Sequence, residues 1–384
     1  MAAAFTMALP TGRELPGDGR FYLCPQALLT GQWAAAAVAA GQAMALAPAG
    51  LACQSLMVGW RTETGAVYTM TGVTAADLQK LSRWATAVGW QQQLETVLTA
   101  LRGGNQRPSC ASDRPQIMGV LNVTPDSFSD AGQFHDPADA IAQGRAMVAA
   151  GADIIDVGGE STRPGAAPVP VDLEINRVVP VIRGLRDLGT PISIDSRHAA
   201  VMRAALAAGA SIINDVTALT GDAGSLAVAR QSGRPVIMMH MQGQPADMQL
   251  DPRYHFAPFD VYDWLADRID VAVAAGIAPS RLIVDPGYGF GKTIGHNLQL
   301  LDWLSLFLGL DCALLVGVSR KSSIAKIAFP EAPERLPAED RLPGSLALGL
   351  AAVGRGASIV RVHDVAETAQ ALRLWQAVTH AAQE

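Results

Sequence analysis

From residue 115 onward the chain alternates between two patterns. Short apolar, β-branched runs occur at Ile117–Leu121, Asp153–Val157, Pro191–Ile194, Ser211–Ile213, Val236–Met239, Leu282–Val284, Ala313–Val316 and Ser358–Val360. Between them lie helical patterns at Pro137–Ala150, Val171–Leu188, His198–Ala208, Gly224–Ser232, Phe259–Ala275, Asn297–Leu308, Ser345–Val353 and Val365–His380. Runs this short and this continuously apolar fit strands buried on both faces, as in parallel sheets. Gly151, Gly189, Gly209, Gly233, Gly276 and Gly356 fall at or just past helix ends, where a left-handed residue is wanted. Eight βα units in about 270 residues predict an α/β fold, a closed (β/α)8 TIM barrel. The competitor is an open doubly wound sheet. The strand count, and the lack of a G-x-G-x-x-G after the first strand, favour the barrel.

The preceding residues differ. Residues 1–20 read as a flexible lead-in and 21–102 as a small α+β domain with no catalytic constellation. Phe21–Cys24, Leu56–Trp60 and Val67–Thr71 fit strands, and Trp33–Leu46 an Ala-rich helix. Thr74 suits the N-cap of a helix over Ala75–Ala87, with a third helix over Trp90–Leu101. Residues 103–114 are rich in Gly, Asn, Pro, Ser and Arg and read as a linker, which leaves 115–384 to the barrel. From Phe21 to Trp60 no residue is charged, a length that could span a bilayer. The stretch is Ala- and Gly-rich and broken by Pro25, Pro48, Gln32, Gln42 and Gln54, so it reads instead as a buried helix with flanking strands.

The chemistry lies after the strands. The first barrel strand delivers Asn122, the second Gly158–Gly165, the third Asp195-Ser196 and the fourth Asn214-Asp215. The fifth gives His240 and Gln242, the sixth Asp285–Lys292, the seventh Ser319-Arg320-Lys321-Ser322 and the eighth Arg361-Val362-His363-Asp364. Polar loops are common anyway. Carboxylates, amides, arginine and histidine in the first positions after every apolar run are not, and the carboxyl ends of the strands are where barrel enzymes keep their chemistry.

Two chemical sets emerge. Asp195, Asn214, Asp285 and Lys321 suit a flat heterocycle with N–H donors and a carbonyl, because a guanidine-like edge pairs with a carboxylate through two parallel hydrogen bonds. Asp285 could equally cap a helix and Asn214 could head an Asx-turn; the residues alone leave both open. Arg361, His363, Arg163 and Asn122 suit phosphate oxygens, and the Asn122 carbonyl could also ligate a hard cation. His240, between two methionines, reads as a core or supporting histidine rather than a catalytic one. Pro286–Thr293 ends in Gly-Lys-Thr, but proline occupies the position of the first P-loop glycine, so that match fails.

The net charge of −6 argues against broad binding of nucleic acid or an anionic membrane, and leaves room for a local anion site. Four scattered cysteines without metal-ligand spacing, and an N-terminus without a signal-peptide pattern, point to the cytoplasm. With 49% apolar and 17% charged residues the chain can build a large core.

Ile117–Asp130 (Ile-Met-Gly-Val-Leu-Asn-Val-Thr-Pro-Asp-Ser-Phe-Ser-Asp) resembles the first signature of the dihydropteroate synthase family, and Asp156–Gly165 resembles its second. Ile194-Asp195-Ser196, Ile213-Asn214-Asp215, Met239–Gly243, Asp285–Lys292, Ser319–Ser322 and Arg361–Asp364 follow in the family's order, so the resemblance covers about residues 115–380. It implies the condensation of a 6-hydroxymethyl-7,8-dihydropterin pyrophosphate with 4-aminobenzoate, assisted by Mg2+ and open to competition by sulfonamides. Asp195, Asn214, Met239, Asp285 and Lys321 would hold the pterin. Asn122, Arg163, Arg361 and His363 would hold the pyrophosphate, with Asn122 on the metal. Thr162, Arg163, Pro164, Phe290 and Ser322 would meet the aminobenzoate. Asn122, Lys321, Arg361 and His363 are the implied catalytic residues, and a homodimer is the family's expectation. The first loop, Thr124–Asp130, would order only with both substrates bound.

Two departures stand out. Ala131 replaces one of two glycines common in the first loop, and Ser196 follows Asp195 where threonine is usual. Competing readings are a corrinoid-dependent methyltransferase on the same barrel, which would not need the anion-binding set, and a catalytically silent relative.

Overall fold

The computed structural model describes residues 4–5, 20–47, 50–61, 67–103, 114–123, 137–161, 168–244 and 247–379. The loop Thr124–Ala131, the segment Thr162-Arg163-Pro164 and most of the expected linker lie outside the described residues.

An open sheet precedes the barrel. It contains β1 (Ala4–Phe5), β2 (Phe21–Thr30), β3 (Met44–Leu46), β4 (Leu51–Arg61) and β5 (Val67–Thr74) in the order β1-β5-β4-β2, with β3 also on β4. β1 lies within the expected lead-in and pairs in parallel with Tyr68 and Thr69 of β5. α1 (Gly31–Ala39), α2 (Leu78–Ala87) and α3 (Gln91–Leu101) accompany the sheet. Two expectations change here. The first strand runs on through Pro25 to Thr30, because β2 is an edge strand and the missing N–H of Pro25 breaks no ladder on its outer side. The Ala-rich helix stops at Ala39, and Met44–Leu46 is a strand, not helix. Gly41 turns the chain with φ +68, after which Met44, Ala45 and Leu46 pair antiparallel with Cys53, Ala52 and Leu51. Long-range pairing here overrides a local helical composition. Thr74 does lead the next helical segment: its N–H and hydroxyl both donate to Asp77 Oδ2, at 3.2 and 2.7 Å.

Eight parallel strands then close into a barrel. They are β6 (Gln116–Asn122), β7 (Ile154–Gly158), β8 (Ile192–Asp195), β9 (Ile212–Asp215), β10 (Val236–Met239), β11 (Leu282–Asp285), β12 (Ala313–Val316) and β13 (Ile359–Val362). The outer ring holds α4 (Pro137–Ala150), α5 (Val171–Leu185), α6 (Ala199–Ala208), α7 (Ser225–Ser232), α8 (Ala257–Ala274), α9 (Ile294–Asp302), α10 (Ser322–Ala328), α11 (Leu342–Val353) and α12 (Val365–Thr379). All eight strands and eight helices read from the sequence are present; two of the helices end in 3-10 turns at Arg186–Leu188 and Leu304–Leu310. The short α10, in the connection after β12, is an addition. The six helix-end glycines all adopt positive φ, from +67 to +127. Inside the barrel, Met118, Ile154, Ile212, Ile237, Ile283, Ala313, Leu315 and Ile359 form a packed plug rather than a pore.

The small domain shares its core with the barrel. One continuous apolar cluster contains Tyr22, Trp60 and Leu94 from the first part and Phe259, Phe307 and Leu304 from the second. Tyr22 stacks on Phe259 with ring centroids 3.9 Å apart, and its hydroxyl donates to Asp263 of α8 at 2.8 Å. The Ser305 hydroxyl donates to the Pro25 carbonyl at 2.8 Å. The strands β2 and β4 of the uncharged stretch Phe21–Trp60 are largely buried, but the expected buried helix is not: α1 buries only Gly31, Ala34 and Ala37, and its Trp33 is 58% exposed. No helix among the described residues is long and apolar enough to cross a membrane.

Candidate active site

Inward-pointing residues at the carboxyl ends of the strands converge on one network. Arg361 of β13 reaches across the barrel mouth: its Nε donates to Asp156 Oδ2 of β7 at 2.7 Å and its Nη2 to Asp195 Oδ2 of β8 at 2.6 Å. Asn214 of β9 donates from Nδ2 to the same Asp156 oxygen at 3.1 Å. Asp156 is fully buried, and its Oδ1 has no hydrogen-bond partner among the described residues. A buried acceptor left in this way costs free energy until a donor reaches it.

Electrostatics follow the burial. Removal from water pushes the Asp195 carboxyl up to about 7, against the opposing pull of Arg361. Burial also raises Asp285, opposed by the Gly287 N–H, which donates to Asp285 Oδ1 at 2.7 Å, and by the nearby Lys321, Lys292 and Arg361 charges. For Arg361 burial works against the charge, and the facing carboxylates Asp156 and Asp195 more than restore it. Asp285 therefore heads a tight turn through one oxygen, which answers one question left open by the sequence. It is also at the site.

The two sets drawn from the sequence prove to be connected, since Arg361 of the anion set is paired with Asp195 of the heterocycle set. Asp156, which joins them, opens the second signature stretch, Asp156–Gly165. Its signal was available: a lone carboxylate at the centre of an otherwise apolar strand (Ile154-Ile155-Asp156-Val157).

Lys321 projects over the Phe290 ring, with Nζ 4.1 Å from the centroid, so these two expected residues form one wall. The residue before it, Arg320, has φ +56, an uncommon conformation for a side chain of this kind. Its backbone N–H donates to Ser345 Oγ at 2.8 Å, its carbonyl accepts from Arg341 at 3.0 Å, and its Nε donates to Asp364 Oδ2 at 3.0 Å. These ties hold the strain and aim Lys321. His363 is half-buried; its Nδ1 lies 3.1 Å from Ser319 Oγ, which also accepts its backbone N–H at 3.2 Å. Asn122 sits at the end of β6, half-exposed, with its amide oxygen on the side of Gly158 and Asp195. Met239 is buried at the end of β10. Ser322 is exposed in the first turn of α10, next to Lys321. Thr162, Arg163 and Pro164 lie outside the described residues.

His240 is buried just past the end of β10. Its Nδ1 lies 2.9 Å from Lys292 Nζ, and Lys292 also donates to the Phe290 carbonyl at 2.9 Å. Burial drops Lys292 to about 7 and holds His240 well below the usual histidine range. Glu160 sits at the base of the second loop. It accepts two hydrogen bonds from Arg197, both at 3.0 Å, and one from the Val169 N–H at 3.1 Å. It thereby links Arg197 to the backbone at Val169.

A closed parallel barrel with buried carboxylates, an amide, a lysine and an arginine at the carboxyl-end mouth has the make-up of a barrel enzyme's active site. A family model described as pterin binding enzyme matches residues 118–363. The dihydropteroate synthase of Neisseria meningitidis is 45% identical over 271 residues, covering 69% of this chain and 93% of that protein. That of Escherichia coli is 44% identical over 277 residues, covering 72% and 96%. Among solved structures, a Yersinia pestis dihydropteroate synthase in a sulfonamide drug complex is 45% identical with a TM-score of 0.66, covering 70% of this chain and 95% of that one. A Xanthomonas albilineans dihydropteroate synthase in complex with 7,8-dihydropteroate is 43% identical with a TM-score of 0.62, covering 71% and 95%. The chain belongs to the dihydropteroate synthase family.

Proposed function

We infer that this chain condenses 6-hydroxymethyl-7,8-dihydropterin pyrophosphate with 4-aminobenzoate, giving 7,8-dihydropteroate and pyrophosphate for folate biosynthesis. The observation that carries the reading is the Asn214–Asp156–Arg361–Asp195 network beside Asp285. It presents buried carboxylates to a ligand with N–H donors, and an acceptor, Asp156 Oδ1, still lacking one. Asp195, Asn214, Asp285, Met239 and Lys321 hold the pterin. Arg361, His363, Asn122 and Arg163 take the pyrophosphate. Phe290, with Lys321 above it, packs on the aminobenzoate ring, and Thr162, Arg163, Pro164 and Ser322 complete that pocket. Sulfonamides compete there.

The leaving pyrophosphate gains negative charge as the C–O bond breaks, so cations at its position act more strongly on the transition state than on the ground state. Electron release from the pterin ring supports positive charge at the methylene, which favours an SN1-like path. The neutral aromatic amine then attacks without a strong general base. Asn122 fits a Mg2+ role: it is a hard oxygen donor, and among the described residues its side chain makes no hydrogen bond. Held there, Mg2+ would supply charge neutralisation to the leaving pyrophosphate.

Pyrophosphate release from the two substrates tests the activity. Purified protein should release it only with both substrates and Mg2+ present, and EDTA should stop it; silence under these conditions would overturn the reading. Asp285→Asn should weaken pterin binding about tenfold to hundredfold, the worth of one hydrogen bond to a charged group, and aminobenzoate binding less. Calorimetry giving the reverse order would count against the assignment.

A homodimer is supported by α11. Its residues 342–353 include no charge, yet only Ser345, Ala352 and Val353 are buried, which leaves Leu342, Leu346, Leu348 and Leu350 half-exposed. A helix apolar all round is ordinarily covered. Sedimentation at micromolar concentration should give twice the chain mass. Cys24, Cys53 and Cys312 are buried free thiols, which suits the reducing cytoplasm.

A further inference from the structure

The N-terminal domain lies outside the family match, which spans residues 118–363. A chain of contacts leads from it to the aminobenzoate wall. The loop after β11 is loose by composition. Gly287, Gly289 and Gly291 have φ +71, +87 and +60, so its shape depends on external ties. The carbonyls on either side of Phe290 are held by the segment after β10: Gln249 Nε2 donates to the Gly289 carbonyl at 2.6 Å, and the Tyr254 hydroxyl donates to the Gly291 carbonyl at 2.8 Å. A Cβ on Gly291 would lie 2.3 Å from the Gln242 carbonyl, so the two segments touch directly. Gln242 in turn exchanges hydrogen bonds with the Arg253 backbone at 2.9 and 3.0 Å.

The Tyr254 segment is itself anchored. Asp260 Oδ2 accepts the N–H groups of His255 and Phe256, at 2.7 and 3.1 Å. Its other oxygen, Oδ1, accepts from Arg61 Nη2 at 2.5 Å, and Arg61 Nη1 reaches Asp263 Oδ2 at 3.2 Å. Arg61 is the last residue of β4. Close beside it, Gly59 gives Phe259 room: a Cβ there would stand 2.4 Å from the ring, which is fully buried against Tyr22, Phe256 and Trp303. The β4 end is therefore seated on α8 by an aromatic plug and an arginine fork, and the fork fixes the carboxylate that orders residues 255–256.

We propose that the N-terminal domain braces the substrate loop carrying Phe290, with Arg61 as the positioning residue and Asp260 and Tyr254 as the intermediates. The domain is a built-in splint for the aminobenzoate wall. The proposal rests on the reading of Phe290 as part of that pocket.

The test uses full-length variants. Arg61→Met should raise the aminobenzoate KM roughly five- to tenfold, within the usual range for coupling between sites, with the pterin KM little changed. Amide exchange at 253–256 and 287–291 should quicken, and Arg61→Lys should restore part of both. Arg20→Met is the control: Arg20 meets Asp263 and Asp267 on the same interface but does not touch Asp260, so it should shift neither readout. If Arg61→Met fails to fold, Asp260→Asn keeps the size of the intermediate and should show the same exchange pattern. Phe290→Ala reports on the pocket itself; if it leaves the aminobenzoate KM untouched, that assignment fails while exchange at 287–291 still decides the bracing. Wild-type exchange at 287–291 in Arg61→Met, or in Asp260→Asn where that is the variant that folds, overturns the proposal, whatever happens to Tm.

Discussion

Arg361→Ala should destabilise the barrel and remove most of its activity together. The guanidinium sits between Asp156 and Asp195, both buried, and removing it leaves two carboxylates facing each other with their main compensation gone. Breaking a buried pair from one side typically costs about 3–5 kcal/mol, a large part of the roughly 5–15 kcal/mol that holds a protein folded. The same residue is assigned to the leaving pyrophosphate, where losing a charged hydrogen bond costs about 2–4 kcal/mol. Tm should fall by several degrees, and the pterin-pyrophosphate KM should rise with kcat lower. Arg361→Met combined with Asp156→Asn separates the two effects, because it removes one stranded charge: part of the Tm should return while activity stays lost. An Arg361→Ala enzyme with unchanged Tm, KM and kcat would contradict both roles.

A chain starting at Arg114 should not survive as a stable enzyme. Such a protein would begin close to where the family match begins, and the sequence allowed that the preceding residues are a detachable module. The structure gives them half of a shared interface. Without them Phe259, fully buried, loses Tyr22 and the wall of β4, and Tyr262 loses its edge contact with Tyr22. Asp263 loses Tyr22, Arg20 and Arg61 at once. Exposing each large apolar side chain costs about 1.5–3 kcal/mol, and several are involved. The expected result is insoluble protein or a Tm far below that of the full chain, measured by thermal unfolding side by side. A truncated protein with the full-length Tm and activity would show the domain to be separable.

The parts of this protein with short sequence range were legible without coordinates. Each barrel strand is only a few residues long and announces itself by being apolar on both faces, and each helix by its period and its terminal glycine. The first residue after a strand is placed at the barrel mouth by the strand itself, so Asn122, Asp195, Asn214 and Asp285 could be assigned to one end of the fold by counting. The Ala-rich segment failed for the opposite reason. Met44–Leu46 is a strand because Leu51–Cys53 pairs with it, and composition inside the segment carries no record of that partner.

Pairings across long sequence separations belonged to the tertiary structure. Arg361 and Asp156 are 205 residues apart, and Arg61 and Asp260 are 199 apart. Neither side chain marks its partner, since any buried carboxylate within reach would satisfy an arginine. Only closure of the barrel brings β7 and β13 to either side of β6, and only docking of the sheet sets β4 against α8. The sequence by itself determined which chemical groups reach the mouth. The tertiary structure decided which charges compensate one another there, and what holds the Phe290 loop in place, because both depend on distances between segments that local patterning does not encode.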